Sequence, residues 1–341
     1  MGKSKNKQSL PFVSLCTPTF NRRPFIPFMI QCFLHQTYPK DRIEWIIIDD
    51  GTDPIEDLIK DIPQVKYFYY EEKMLLGKKR NLMHTKCSGD IIIYMDDDDY
   101  YPPQRISHAV EALQQNPTFL LAGSSEMHIY FDSKNAVYQC GPYKQYHSTA
   151  ATFAFKKELL LQTSYDDESG LAEEYKFTKG YTIPLIQLEP LETILVFSHK
   201  HNSLNKEKLL ENPKQTKTRP SHYSVDDFIE DPILKQFYMF NMNSLLEQYE
   251  PGRPENKPKL LEQIKKIEEE RSKRSEDHIK MLQTQQQISS LSNLNNKEVE
   301  TLRNEYEKKL SDKNIIISEL LKKLKQLTIQ LNDYQSGKKN I

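Results

Sequence analysis

The chain has 341 residues, enough for one large domain or two modest ones, and its hydrophobic fraction of 37% is low for a globular chain, so part of it has no core of its own. Lys and Arg number 47 against 48 Asp and Glu, a balance that excludes a whole-molecule field recruiting nucleic acid or an anionic membrane; any anion site must be local. Four widely spaced cysteines, Cys16, Cys32, Cys87 and Cys140, form neither a metal-type pair nor a disulfide framework and point to a reducing, cytoplasmic setting.

The N-terminal stretch MGKSKNKQSL is basic without an apolar core, so it does not read as a secretory signal. From about residue 11 to 200, short apolar runs alternate with helical stretches, the pattern of an α/β sheet crossed over by helices. The first strand candidate is PFVSLC; the apolar stretch after it, Phe25 to Leu34, is broken by Pro27 and Gln31 and is too short to span a bilayer. The second, EWIIID, ends in Asp49, Asp50, Gly51, Thr52 and Asp53. Asp-Gly marks a turn, and a carboxylate at such a strand end can accept hydrogen bonds from a ribose or a base. VKYFYY follows, then LGKKRNL, where a helix start brings Lys78, Lys79 and Arg80 together. Arg80 with Asn81 is the expected phosphate ligand there, and Lys78 and Lys79 are expected to be solvated.

DIIIYMD then runs directly into Asp96, Asp97, Asp98 and Asp99. Carboxylates packed this closely raise one another's pKa unless a cation neutralises them, and Mg²⁺ or Mn²⁺ prefers such oxygen ligands. In extended backbone alternate residues face one way, so Asp96 and Asp98 are expected to share a cleft, Asp99 to approach from the turn, and Asp97 to be dispensable. Further on, LAEEYKF places Glu173 and Glu174 at a possible helix start, and ETILVF reads as a strand before FSHKHNS, where His199 and His201 alternate and can face one side. Beyond Pro251 the composition turns rich in Lys, Glu, Gln, Ser and Asn. PGRPENKP reads as a linker, and Val299, Leu302, Tyr306, Leu310, then Ile317, Leu320, Leu324, Leu327 and Leu331 step by three and four with skips, as in a coiled coil with a stutter.

These features arrive in an order that resembles the family 2 glycosyltransferases of the GT-A fold. VSLCTPTFNRR matches the family's strand followed by Pro-Thr-Tyr-Asn-Arg, with Phe20 for tyrosine; IDDGTD matches Val-Asp-Asp-Gly-Ser-Thr-Asp; GKKRN matches Gly-x-x-x-Ala-Arg-Asn; and MDDDD matches Leu-Asp-x-Asp-Asp. HSTAATFAFKKELL is similar to the acceptor-side strand and helix, and LAEEYKF stands at the Glu-Asp motif. The resemblance implies that Thr19 and Asp49 or Asp50 hold the nucleoside with Phe20 near the base, that Arg80 lies by the diphosphate, and that Asp96 contacts the ribose side. It implies Asp98 as metal ligand with Asp99 close by, a late histidine (His199 or His201) completing the metal or diphosphate site, and Glu174 as general base with Glu173 before it.

The expected fold is therefore a GT-A-like α/β sandwich around a mostly parallel sheet over residues 10 to 205, a helical extension over 206 to 250, a linker over 251 to 258 and a coiled-coil or helical tail over 259 to 335. The expected activity is metal-dependent, inverting transfer from a nucleotide-sugar, a UDP-sugar, to the hydroxyl of a glycan, protein or small-molecule acceptor, in a chain without membrane helices that self-associates through its tail. A sugar nucleotidyltransferase is the alternative within catalysis, disfavoured because TPTFNRR lacks the glycine-rich phosphate loop; a coiled-coil interaction protein with a degenerate transferase domain is the alternative outside it.

Overall fold

The computed structural model describes residues 10 to 337, with side chains described outside 289 to 296 and 332 to 337; the basic N-terminal stretch read from the sequence lies almost wholly outside the described residues. The chain divides into two compact units, one ending at Lys266 and one beginning at Ile267.

The first unit opens with the four strands expected from the apolar runs: β1 (Val13–Thr19), β2 (Ile43–Asp49), β3 (Val65–Tyr69) and β4 (Ile91–Tyr94). Then come β5 (Leu121–Gly123), β6 (Met127–Phe131), β7 (Ala136–Cys140), β8 (Ala154–Lys156), β9 (Leu185–Gln187), β10 (Leu195–Ser198) and β11 (Thr218–Pro220). Seven of them form a sheet in the order β3-β2-β1-β4-β8-β5-β9, in which only the pairings made by β8 are antiparallel. The expected α/β layering on a mostly parallel sheet is thus what the chain builds. A second sheet, β10-β6-β7-β11, packs in the same unit; its last strand comes from within residues 206 to 250, beside several short helices.

The two-residue period explains why β2 is buried along its whole length. Ile46 and Ile48 join Cys16, Ile92 and Tyr94 on one face, whereas Trp45 and Ile47 join Leu15 and Ile93 on the other. Helix α1 (Ile26–His35) covers the second face with Met29 and Phe33, and Phe33 stacks on Trp45 with ring centroids 4.5 Å apart. After the short α2 (Glu56–Ile59), α3 (Leu76–Lys86) covers the first face through Met83, and α4 (Arg105–Gln115) returns to the second through Ile106, Ala109, Val110 and Leu113. Because both faces are covered, polar chemistry is confined to strand ends. At one end Glu44 is buried, and hydrogen bonds from Lys66, Ser14 and Ser88 overcome the effect of burial and hold its carboxyl down at about 2.

A single helix, Pro258–Gly337, is the last of the described elements. Its first turns belong to the first unit, where Leu260 is buried and Gln263 bonds Gly170 and Glu168. In the second unit the stepped residues Leu302, Tyr306, Leu310, Leu320, Leu324, Leu327 and Leu331 are all exposed. Among the described residues no helix is long and apolar enough to cross a membrane.

Candidate functional site

The carboxyl ends of β1, β2 and β4 open into one cavity of about 700 Å³. Thr19, Phe20, Asp50, all four of Asp96 to Asp99, and Glu173 and Glu174 line it, so most of the residues singled out in the sequence share one space. Asp49, Arg80, His199 and His201 stand outside that lining.

The turn after β2 explains why Asp50 rather than Asp49 faces the cavity. Asp49 is spent on local geometry: its Oδ1 accepts from Gly51 N at 2.9 Å and its Oδ2 from the Tyr67 hydroxyl at 2.8 Å. Gly51 is required, because a Cβ there would stand 2.6 Å from Asn21 Oδ1. Asp50 instead accepts from Met74 N at 2.6 Å and pairs with Lys79, whose ammonium also donates to Thr19 O at 2.7 Å. Lys79 is 5% exposed, which corrects the expectation that it is solvated; α3 turns it under the β1 and β2 ends, where the charge of Asp50 balances it, a relation that helical spacing alone does not show.

Asn21, matched in the motif after β1 but given no role there, is structural. With φ of +51° it sits in the left-handed region that asparagine tolerates, and its Oδ1 accepts from Thr52 N at 2.7 Å and Asp53 N at 3.1 Å. Its Nδ2 donates to Pro251 O at 2.8 Å, tying the loop after β1 to the segment before the long helix.

The acidic run is held by two buried arginines, Arg22 in the cavity lining and Arg80 outside it. Arg22 Nη2 lies 3.2 Å from Asp98 Oδ2 and donates to His201 O at 2.9 Å, while its Nε lies 3.5 Å from Asp97 Oδ1. Asp97, expected to be dispensable, is thereby buried at 5% exposure in this pairing. Burial opposes ionisation of Asp98, yet Arg22 and then His199 keep its carboxyl well below the usual range, so it is an anion at neutral pH. Asp96 and Asp99 behave oppositely: burial raises both, with the charge of Asp98 adding to each.

Arg80, expected beside a diphosphate, is 1% exposed behind these acids, its Nε 3.0 Å from Glu173 Oε1 and its Nη2 3.6 Å from Asp96 Oδ1, with its guanidinium 4.3 Å from the Tyr94 ring centre. It orders two carboxylates rather than facing the cavity. Glu173 is therefore committed to a cation, and its neighbour is not. Glu174 opens the short α5 (Glu174–Phe177); burial, then the charge of Glu173, pushes its carboxyl up to about 7, and the Tyr181 hydroxyl lies 3.4 Å from its Oε1.

His199 Nε2 lies 3.1 Å from Asp98 Oδ2 and 2.8 Å from Asn202 Nδ2. Burial lowers this imidazole to about 3, so it is neutral. His201 turns elsewhere: its ring lies 6.4 Å from that of Tyr249, and its Nδ1 has no hydrogen-bond partner. Among the described residues, no three His, Cys, Asp or Glu side chains converge as a complete metal cage. The donor set nevertheless fits a hard divalent cation of the kind that retains water and phosphate ligands: ionised Asp98, neutral His199 beside it, and the buried Oδ1 of Asp96 without a hydrogen-bond partner.

A model described as Glycosyl transferase family 2 matches residues 14–161. A dolichyl N-acetyl-alpha-D-glucosaminyl phosphate 3-beta-D-2,3-diacetamido-2,3-dideoxy-beta-D-glucuronosyltransferase of Methanococcus voltae is 27% identical over 111 residues, 30% of this chain and 34% of that protein. An uncharacterized glycosyltransferase of Haemophilus influenzae is 28% identical over 121 residues, 34% of this chain and 48% of that protein. The chain thus spans about a third of the length of the first of these relatives and about half of the second. Among solved structures, the mannosyltransferase PcManGT of Pyrobaculum calidifontis, in complex with GDP-Man and Mn²⁺, shares 18% identity at a TM-score of 0.47, covering 68% of this chain and 70% of that one. TarS 1–349 of S. aureus gives 18% and 0.46, covering 55% and 60%. The matched segment runs from the second residue of β1 through β4 and the whole acidic run, and over residues 14–161 the chain is similar to the family 2 glycosyltransferases.

Proposed function

We propose that the protein transfers a sugar, with inversion, from a UDP-sugar to an acceptor hydroxyl, with a divalent cation at Asp98. The observation that carries this reading is that Asp98, inside the family match, and Glu174, outside it, line the same cavity. Glu174 is the catalytic residue: unpaired with any cation among the described ion pairs and poised near neutrality, it takes the acceptor proton as the hydroxyl oxygen attacks the anomeric carbon. The bond from that carbon to the diphosphate breaks, and its electron pair leaves with the nucleoside diphosphate. Asp98 with His199 would hold Mg²⁺ or Mn²⁺, which would supply charge to offset the negative charge developing on the leaving group. Asp50 and Thr19 serve the nucleoside, Asp96 the ribose side, and Arg80 with Glu173 holds the acidic wall in place. The Methanococcus voltae relative, named for sugar transfer, supports the reaction class. The test is binding of UDP-sugars and GDP-sugars with and without Mn²⁺: saturable, Mn²⁺-dependent binding of a UDP-sugar is expected, and binding of none of them removes the reading.

The exposed leucines of the second unit support self-association. Eight stepped apolar residues from Leu302 to Leu331, Ile317 among them, left in water on a single helix, favour burial against copies of themselves. Sedimentation of the whole protein at micromolar concentration is expected to give an oligomer, and Leu320→Lys with Leu327→Lys a monomer; a monomeric wild type ends the proposal.

A further inference from the structure

Lys257, one residue before the long helix, is 9% exposed. Its ammonium reaches Ser203 Oγ at 3.1 Å and lies 5.6 Å from the Phe20 ring centre, and among the described residues it makes no ion pair. A buried cation with a single neutral hydrogen-bond partner is unfavourable in the empty protein, and such groups are retained where a ligand supplies the missing charge. One further donor faces the same deficit. Arg22, though paired through Nη2 and Nε, has a buried Nη1 without a partner. Both residues line the cavity of the acidic run. The first turn of the long helix, Pro258 to Leu260, lines it too, so the positive end of an extended helix dipole is at hand for the same anion.

The hydroxyls of a neutral sugar can accept from these donors but bring no charge; a diphosphate brings both acceptors and charge. We propose that Lys257, together with Arg22 Nη1 and the first turn of the long helix, binds the diphosphate of the nucleotide donor, so that the segment after the family domain is a wall of the donor site. This rests on the reading of the cavity as a donor site. It also gives the surrounding bonds a purpose: Asn21 fastens Pro251, Lys73 donates to Asn256 O, and Gln263 fastens Gly170, which together fix Lys257 against the cavity.

The test compares UDP with uridine, both with Mg²⁺, on the full chain carrying Lys257→Met or Lys257→Arg. Lys257→Met keeps the volume and removes the charge; UDP is expected to bind about ten- to a hundredfold more weakly, the range for a lost hydrogen bond to a charged group, with uridine unchanged. Lys257→Arg, which restores a cation, is expected to recover most of the loss. Unaltered UDP binding by Lys257→Met overturns the proposal, and so does equal weakening of UDP and uridine, which marks a packing role. If the wild type binds neither UDP nor GDP with metal, the donor reading itself falls and takes this proposal with it.

Discussion

Glu174→Gln is expected to reduce transfer by about a hundred- to ten-thousandfold, the usual contribution of a positioned base, while donor binding stays as in the wild type. Glutamine keeps the length of the side chain and can still accept from Tyr181, so only the proton acceptor is lost. In the wild type, kcat/KM is expected to rise with pH through about 7, where burial and the adjacent Glu173 charge place the Glu174 carboxyl, and then to level off. The sign for stability is the reverse. A carboxyl raised in the folded state favours folding while it is protonated, and that contribution is lost as pH climbs from the unfolded value through about 7. Glu174→Gln escapes this loss and is expected to melt above the wild type at pH 8 while being inactive. A variant that keeps its activity, or melts lower there, argues for a structural Glu174.

Asp98→Ala has the second large effect. Removing the one acidic side chain of the run held firmly ionised is expected to weaken Mn²⁺-dependent binding of a UDP-sugar by about a hundred- to a thousandfold. Arg22 would lose one of its two carboxylates and His199 its neighbour, so some loss of melting temperature accompanies it. Asp98→Asn keeps the volume and separates the effects: loss of Mn²⁺ dependence with near-normal melting supports a ligand role, whereas normal Mn²⁺-dependent binding in Asp98→Asn rejects it. Binding is measured calorimetrically with and without Mn²⁺.

What could be read in advance was whatever a short window carries. Each of β1 to β4 coincides with an apolar run; β3 is a half-exposed edge strand whose run is aromatic, whereas in β1, β2 and β4 two-sided burial writes itself into consecutive residues. The acidic run and the pair at Glu173 and Glu174 were visible for the same reason. Relations across long separations were not. Arg80 meets Glu173 across 93 positions, and that contact removes Arg80 from the cavity wall where local pattern put it. Lys79 looks like any solvated helix lysine until Asp50, 29 positions earlier, is seen beneath it. Lys257 lies in a stretch of proline and charge that reads as a tether, and its burial depends on Ser203 and Phe20, which no spacing rule connects to it. Of the second sheet only β10 was legible, within ETILVF; its pairing with β6, and the strands β6, β7 and β11, three to five residues long, were not.

The bond from Asn21 to Pro251 joins positions 230 apart in a chain made from one end to the other. During synthesis β1, β2 and the acidic run emerge long before the segment from Pro251 to Leu260, so the nascent domain holds its carboxylates without the lysine that faces them. The wall from Lys257 to Leu260 is thus the last part of the cavity lining to be translated.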